Sequence, residues 1–285
     1  MSKRDQRQPH PPAMRLTERD VAILQAIYDY RVLSTPQLQT LFFGSLVKTR
    51  ARLNLLYHHR LIDRKFSGLY FAKMNTPILH VLDRRGADIL SQLGTLRHGW
   101  HRKSKQVGGF FLEHTLAINT VRVAVVKACQ DLGVQLVEWR SENDLKTSYD
   151  RVTLPTNTKP TAVIPDGYFV LETPKGLTHF FLELDRATET NAIFKRKVAA
   201  YQVYRGSQQV LKRFGTSKFR VLTVTTSAAR LKHLVRTTSA SKAKHHFWFT
   251  TLNEVTPEVM LTNPIWQIPG SVSPQALLTG SGVDA

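Results

Sequence analysis

The sequence has a single cysteine, Cys129, among its 285 residues. One cysteine excludes a disulfide framework within the chain and any metal site built from several thiolates. Long apolar runs are also missing, because the best candidate, residues 116–129, is interrupted by Asn119, Arg122 and Lys127, and a membrane-spanning helix needs about 20 apolar residues. The first residues contain no apolar segment of the kind that secretory signals carry. These absences predict a cytoplasmic protein that has no membrane partner.

Acidic residues are few relative to basic ones. The chain has 21 Asp and Glu against 40 Lys and Arg, which gives a formal net charge of +19. Residues 1–109 contain 19 basic and 7 acidic residues, whereas residues 110–185 contain 7 and 10, and residues 186–244 contain 14 basic residues and one acid, Glu189. Such an excess of cations predicts a polyanionic partner, and nucleic acid is the commonest one. The acidic segment between two basic ones suggests a cation site beside a nucleic-acid surface.

Composition and periodicity divide the chain into two domains. Residues 1–13 are polar and proline-rich, and we expect them to be disordered. Residues 94–109 are basic, bounded by glycine and without periodicity, which is typical of a linker. The prediction is a disordered tail, an N-terminal domain, a basic linker, a C-terminal domain and a second disordered tail, at residues 1–13, 14–93, 94–109, 110–269 and 270–285.

The N-terminal domain begins with three predicted helices. Thr17 and Asp20 have the spacing of a capping box. The segment Ser34-Thr35-Pro36-Gln37 gives a second start signal, in which a hydroxyl cap precedes a proline. A third helix, over residues 46–60, has one apolar face and another face with cations and hydrogen-bonding groups, as a recognition helix needs to enter the major groove. The DNA contacts that we expect from this helix are Lys48, Arg50, Arg52 and His59.

Short strands follow the third helix. Residues 61–66, 69–71 and 78–82 have strand patterns, and a fourth helix is predicted over residues 87–93. Three helices, a small sheet and a closing helix resemble a winged helix-turn-helix domain, and this resemblance implies binding to double-stranded DNA. The alternative is that the cations only solvate an exposed helix face. The wing would add three DNA contacts, Arg64, Lys65 and Lys73.

The C-terminal domain has the predicted element order αβββαβ, followed by αβ. A long helix ends before Gly133, and a strand over residues 134–139 precedes a loop at 140–160. Two strands form a predicted hairpin. The remaining elements are a basic helix, a strand, a helix and a final strand. The hairpin strands and these last four elements are placed at residues 162–171, 178–184, 190–204, 219–225, 228–236 and 247–250.

Carboxylates stand at two points of the predicted hairpin. Pro165-Asp166 lies in its first strand, and Glu183 and Asp185 lie at the end of the second. Alternation along a strand puts Glu183 and Asp185 on one face, and the hairpin would bring Asp166 opposite them. Convergent carboxylates are the oxygen ligands that Mg²⁺ requires, and the ion would polarise a phosphodiester and activate water. The conditional metal ligands are therefore Asp166, Glu183 and Asp185.

This pattern resembles the PD-(D/E)XK nuclease superfamily over roughly residues 110–250. The resemblance implies that Asp166 and Glu183 bind metal. The superfamily places a lysine two residues after the acid, and this sequence has Asp185 there. Some members take the lysine from the following helix, which implies Lys197, or Lys195, in the catalytic role. Some members also use an acid in the first helix, which matches Glu113, and Tyr201 lies one turn after Lys197.

The chain as a whole resembles the replication-relaxation family of plasmids and mobile elements. The resemblance implies a bacterial protein connected with DNA replication or relaxation. It rests on the segments Glu113–Asn119, Pro165–Phe169, Phe181–Thr188, Lys197–Tyr201 and Pro264–Trp266.

The sequence predicts a two-domain α+β or α/β protein, with an N-terminal winged helix-turn-helix and a C-terminal restriction-endonuclease-like core. Three hypotheses for its function stay open. The first is a double-stranded-DNA-binding protein with Mg²⁺-dependent nicking, and the second is a non-enzymatic transcription or replication regulator. The third is a module that forms homodimers. The first two hypotheses differ in what they make of the acids. Asp185 stands where a nuclease of this superfamily carries its lysine, and Arg186 or Lys197 could neutralise Asp185 and Glu183 with no metal involved.

Overall fold

A computed structural model describes residues 6–65, 77–96, 109–155 and 159–278, with the side chains of 109–111 left out. The chain has a mixed α/β architecture and divides into two compact units, Met1–Asn119 and Thr120–Ala285. Among the helices of the described ranges, none combines the length and apolar character that a bilayer crossing requires. Each unit has its own sheet and is described separately.

The first unit contains a three-stranded sheet of order β1-β3-β2, in which both pairings are antiparallel. Its helices begin where the sequence predicts capping boxes. Thr17 and Asp20 form one such box, and Ser34 and Gln37 form the other. The elements are α1 (Glu18–Tyr30), β1 (Leu33–Ser34), α2 (Thr35–Phe42), α3 (Leu46–His58), β2 (Ile62–Lys65), β3 (Leu79–Leu82) and α4 (Arg84–Gln92).

The helix α5 (Gly109–Leu132) contributes its residues up to Asn119 to the first unit. Leu112 packs with Val32 and with Leu79 and Val81 of β3. The Asn119 side-chain amide donates to the carbonyls of Tyr30 and Val32, at 3.0 and 2.6 Å. These contacts give a buried donor to the Tyr30 carbonyl at the end of α1 and to the Val32 carbonyl just beyond it. The sequence assigns all of α5 to the second domain, whereas the compact units divide within it.

The predicted disorder of residues 1–13 does not hold for residues 6–13, which the structure describes. The Arg7 guanidinium forms ion pairs with Asp63 and Asp83, at 2.9 and 2.8 Å, and lies 4.2 Å from the centre of the Tyr57 ring. His59 contacts the carbonyl of Pro12. Polar composition indicated disorder, but it cannot show that Arg7 has two carboxylates to bind.

The second unit is built on a five-stranded sheet of order β10-β9-β8-β7-β4. Strands β8, β9 and β10 are parallel, and β4, β7 and β8 pair antiparallel. Strands β5 and β6 form a separate pair. The elements are β4 (Gln135–Ser141), α6 (Glu142–Thr147), β5 (Asp150–Val152), β6 (Thr161–Val163), β7 (Gly167–Thr173), β8 (Gly176–Asp185), α7 (Asn191–Arg205), α8 (Gln208–Phe214), β9 (Phe219–Thr225), α9 (Ala228–Thr238) and β10 (Phe247–Thr251).

Two predictions for this unit are wrong. The predicted loop at 140–160 contains α6 and β5, because Ser141 and Asp144 form a capping box and Leu145 and Val152 are buried in the core. The predicted strand at 162–171 is two strands, because β6 pairs with β5 and the chain breaks at Pro165, which has no N–H to donate to a ladder. Asp166 therefore lies outside the β7–β8 hairpin.

The predicted C-terminal tail is ordered as far as residue 278. Gln275 pairs with Trp266, and Leu277 is buried. The Leu278 amide donates to the Leu261 carbonyl at 2.8 Å. The segment is rich in serine and proline, but its two leucines give it apolar surface to bury.

Candidate functional site

Asp166 and Glu183 lie next to each other on two backbone segments. The Asp166 amide donates to the Leu182 carbonyl at 2.9 Å, and its carboxylate accepts from the Leu184 amide at 2.7 Å. Both contacts are to the residues that flank Glu183 in β8. The two acids are 8% and 5% exposed. Two carboxylates are thus held side by side in the interior of the second unit.

Helix α7 supplies a partner for each oxygen of Glu183. Lys197 Nζ donates to Glu183 Oε2 at 2.9 Å, and the Tyr201 hydroxyl donates to Oε1 at 2.5 Å. The two donors are four residues apart and therefore share one helix face. Lys197 also pairs with Glu189 Oε1 at 2.8 Å. Lys197 thus lies beside the acid, and the catalytic role that the nuclease resemblance implies for it stays a prediction.

The charges of this cluster influence one another. Burial raises the pKa of the Glu183 carboxyl; Lys197 and the Tyr201 hydrogen bond oppose that effect, and the charge of Asp166 adds to it. Burial favours the neutral amine of Lys197, but Glu183, Asp166 and Glu189 together raise its pKa. Burial and the charge of Glu183 raise the pKa of the Tyr201 hydroxyl well above its ordinary value. Lys197 is therefore a permanent cation beside the Glu183 carboxyl, which burial makes costly to ionise.

Asp185 points to the helices on the same side of the sheet as Glu183 but has a different partner. Both of its oxygens accept from the Arg230 guanidinium, at 2.9 and 2.7 Å. The Ala187 amide also donates to Oδ1, at 2.8 Å. This two-point pairing neutralises the charge of Asp185 and occupies both oxygens.

A divalent cation fits only part of the predicted ligand set. Carboxylate oxygens of Asp166 and Glu142 lie within 4.8 Å of one another, and such oxygens are the hard ligands that Mg²⁺ prefers. Glu183 is linked to this group through the charge of Asp166. Asp185 does not fit, because the Arg230 guanidinium holds both of its oxygens at 2.9 and 2.7 Å. Glu183 fits only if an ion displaces Lys197 or Tyr201 from one of its oxygens.

Glu142 is not among the predicted ligands, because it falls in the predicted loop at 140–160. The capping-box spacing of Ser141 and Asp144 was the signal that could have placed it at the start of α6.

Glu113, the additional acid implied by the nuclease resemblance, lies in the part of α5 that belongs to the first unit. Its side chain is half-buried. Asp166, Glu183 and Glu142 belong to the second unit.

Helix α3 presents two of the predicted DNA contacts. Lys48 and Arg50 are exposed, whereas Thr49, Leu53 and Leu56 are buried in the core of the first unit. The inner residues anchor the helix, so both cations are held on its outer side.

Arg52 has a different position from the one we predict. Its guanidinium pairs with the fully buried Asp20, with Nε 2.7 Å from Oδ1, and it also donates to the Arg15 carbonyl at 2.9 Å. Burial opposes ionisation of Asp20, but hydrogen bonds from Arg52 and Thr17 lower the pKa of that carboxyl. Arg52 therefore joins α3 to α1.

The remaining predicted contacts differ in how they are held. Arg64 donates to the Asn54 side chain at 2.7 Å and lies 4.1 Å from the centre of the Tyr57 ring. His59 contacts the N-terminal segment, and Lys65 is half-buried at the end of β2. The seventh predicted contact, Lys73, lies outside the described residues, as does the predicted strand at 69–71.

Two exposed cations that sequence reasoning missed lie at the start of α1. Arg15 and Arg19 line an open groove with Lys48 and the Phe43 ring. The Arg19 guanidinium lies 5.5 Å from the centre of that ring. Arg15 precedes α1, and Arg19 lies in its first turn. The sequence of α1 does not have the pattern of a recognition helix, and only the fold brings the two arginines near Lys48.

Comparisons with known proteins give a family match and structural likenesses of low TM-score. Solved structures similar to the chain include restriction endonuclease FokI and the same enzyme bound to DNA, each 12% identical, with TM-scores of 0.27 and 0.24. Each match covers 85% of this chain and 45% of the FokI chain, so the protein spans less than half of that enzyme. No curated protein gives a significant match. The replication-relaxation model matches residues 24–218, which is more than half of the sequence, and the chain belongs to the replication-relaxation family.

Proposed function

We propose that the protein binds double-stranded DNA of a plasmid or other mobile element in the bacterial cytoplasm, and that its first unit is a winged helix-turn-helix domain. Its order of three helices, an antiparallel β2–β3 pair and a further helix supports this fold. The observation that carries the proposal is the exposure of Lys48 and Arg50 on α3, whose opposite face is buried. Such a helix can enter the major groove with its cations outward.

Arg15 and Arg19 extend this cationic surface beyond α3. Phosphate contacts position a protein on the duplex and dominate its affinity. Arg52, in this proposal, supports α3 through Asp20 instead of contacting DNA. The distinction is testable, because loss of a phosphate contact changes the salt dependence of binding.

The test compares K48A/R50A with K175A/K218A, which removes two exposed cations from the second unit. Both variants lower the net charge equally, so general electrostatics cancel. With a random-sequence duplex, K48A/R50A is expected to reduce the slope of log affinity against log salt by up to about 1.8, at about 0.9 for each phosphate contact. Equal slopes for the two variants would contradict the proposal.

A second candidate function is Mg²⁺-dependent DNA nicking by a restriction-endonuclease-like second unit. The juxtaposition of Asp166, Glu183 and Lys197 supports it. Mg²⁺, when bound, would polarise a phosphodiester and activate water. Asp166 and Glu183 would hold the ion, with Glu142 as a further oxygen ligand. Lys197 would stabilise negative charge on the phosphate, and Tyr201 would orient the Glu183 carboxylate.

Nicking is measured on supercoiled plasmid with Mg²⁺ or Mn²⁺. We expect Asp166→Ala and Glu183→Ala to abolish the open-circular product while duplex affinity stays within about twofold of the unmodified protein. An absence of nicking, or nicking that survives Asp166→Ala, would reject this candidate and leave the DNA-binding proposal intact.

The alternative is a regulator that has no cleavage activity. The Asp185–Arg230 pair supports it, because an ion pair stands where the nuclease superfamily carries its lysine. A regulator binds one operator or origin with steep salt dependence, and Glu183→Ala leaves that binding unchanged. If the second unit also forms homodimers, sedimentation with and without a palindromic site will show a two-protein complex.

A further inference from the structure

The outer surfaces of α7 and α9 carry exposed cations. Both helices pack on the same face of the five-stranded sheet, with Val198 and Tyr201 of α7 and Leu231 and Leu234 of α9 in one core. Their opposite faces therefore point to solvent on the same side. The exposed cations there, which we call the α7/α9 surface, are Lys195, Arg196, Lys232 and Arg236.

Acidic side chains do not balance this surface. Glu189 is the one acid between residues 186 and 244, and its carboxylate pairs with Lys197. Within the described ranges, Lys195, Arg196 and Lys232 have no ion-pair partner. Arg236 contacts the His233 ring, 3.2 Å away. The charge is thus available to an external polyanion.

Hydrogen bonds hold the two helices together beside the acidic cluster. Asn191, the first residue of α7, accepts from Arg230 at 3.4 Å and contacts His233, both on α9. Arg230 in turn holds Asp185 at the carboxyl end of β8. Helix α7 begins just after that end, so its first two turns bring Lys195 and Arg196 to the same end of the sheet as Glu183. Lys195, Arg196 and Lys232 therefore lie in the first two turns of two helices that are joined to each other beside the carboxyl end of β8.

We propose that the α7/α9 surface binds the phosphate backbone of duplex DNA, as a second contact in addition to α3. This inference rests on the proposed DNA binding and assigns the segment of the second unit that takes part. The positive charges of this surface are not neutralised by nearby acids, so they can pair with the phosphate groups of DNA. An anionic membrane fits less well, because a membrane-bound helix needs a broad exposed apolar face, and Ile193, 38% exposed, is the large apolar side chain exposed on these helices.

The experiment uses the full chain and three double variants with the same charge change. K195A/R196A and K232A/R236A remove the surface in halves, and K175A/K218A is the control. Lys175 precedes β8 and Lys218 precedes β9, so the control cations lie at the opposite end of the parallel strands. All six residues except Arg236 lack a described side-chain partner, and circular dichroism verifies that each variant folds. Binding to a random-sequence duplex is measured by fluorescence anisotropy between low and moderate salt.

We expect each surface variant to weaken duplex binding at least about fivefold at moderate salt and to lower the salt slope by up to about 1.8. The control is expected to stay within about twofold of the unmodified chain. Surface variants that bind like the control would overturn the inference. So would unaltered DNA binding combined with lost binding to phosphatidylserine vesicles, because that result assigns the surface to a membrane.

K48A/R50A, measured in parallel, separates this inference from the proposed function. If K48A/R50A weakens binding and the surface variants do not, the α3 proposal stands and this inference fails. If the surface variants weaken binding and K48A/R50A does not, the inference stands and the role of α3 fails. A full chain that does not bind duplex at low salt rejects both.

Discussion

Lys197 Nζ lies 2.9 Å from Glu183 Oε2, although the two residues are 14 positions apart in the sequence. The cation reaches the acid from α7, across the face of the sheet that α7 covers. Asp185, two residues after Glu183 on the same strand, turns to Arg230 of α9 instead. Two acids of one strand thus have separate cations from separate helices. The stability of the second unit should depend on both pairs.

Replacing Lys197 with methionine should leave Glu183 with Tyr201 as its remaining donor. The carboxyl then becomes protonated near neutral pH, and the free energy of unfolding of the second unit falls by about 1–3 kcal/mol. This is less than for a fully buried pair, because the Lys197 side chain is 34% exposed and partly screened. Urea denaturation followed by tryptophan fluorescence measures the change, since three of the four tryptophans, Trp139, Trp248 and Trp266, lie in the second unit.

The double variant K197M/E183Q tests the cause of that loss. It removes both charges, so no uncompensated carboxylate is buried, and we expect it to recover most of the lost stability. If its loss equals the sum of the two single losses, the residues are not coupled and the ion pair does not stabilise the unit.

Replacing Arg230 with alanine should cost more, about 3–5 kcal/mol, because it leaves a buried carboxylate without its cation. Asp185 is 4% and Arg230 14% exposed at the side chain. The matched control is Lys127→Ala in the exposed pair with Asp131, one turn along α5, which should cost less than about 1 kcal/mol. Similar losses for the two variants, measured by thermal unfolding, would mean that Asp185 has access to water.

Patterns along the sequence predicted the elements but not their partners. Strand β9 matches its prediction because a run of apolar residues between turn signals is a local feature. The break at Pro165 was missed because β6 pairs with β5, a contact that no local pattern shows. Arg52 was predicted to contact DNA because helical periodicity shows on which side of the helix a residue lies. It does not show that Asp20, 32 residues earlier, lies within reach of that face.

The acidic cluster shows the same limit. Asp166, Glu183 and Lys197 could be proposed from spacing and from a family resemblance. The pairing of Asp185 with Arg230 depends on how α9 packs against the sheet, 45 residues further along the chain. Glu142 depended on recognising a helix of six residues, which is too short to give a clear periodic pattern.

Gly86 allows α4 to pack closely against the backbone of Leu61, just before β2, and against Leu82 of β3. A Cβ at this position would collide with the Leu61 carbonyl and lie 2.8 Å from Leu82 Cδ1. Alanine favours a helix by up to about 1 kcal/mol over glycine, but the backbone clash outweighs this gain. We expect Gly86→Ala to destabilise the first unit by about 2 kcal/mol.

Gly44→Ala is the control, because a Cβ there has no atom within 4 Å, and its effect should stay within about 0.5 kcal/mol. Hydrogen exchange of peptides from α1 and α3 reports the stability of this unit, and equal protection in both variants would contradict the expectation.

His80 makes the stability of the first unit sensitive to acid. Its ring is buried in β3, with Nε2 2.9 Å from the Thr35 hydroxyl, and burial together with the charge of Arg64 lowers its pKa to about 3. The unfolded chain binds a proton near pH 6.5, whereas the folded unit does not. Stability is therefore complete above pH 6.5 and decreases as the pH falls from 6.5 towards 3, by at most about 1.4 kcal/mol for each pH unit.

His80→Leu removes this proton uptake, although it also removes the contact with Thr35 and lowers stability at pH 7. The variant should therefore be less stable than the unmodified protein at pH 7, and the difference should shrink or reverse at pH 4.5. Hydrogen exchange in urea at the two pH values, followed in peptides from α1 and α3, gives the comparison, and acidic residues common to both proteins cancel. A difference that stays constant with pH would show that His80 accepts a proton in the folded state.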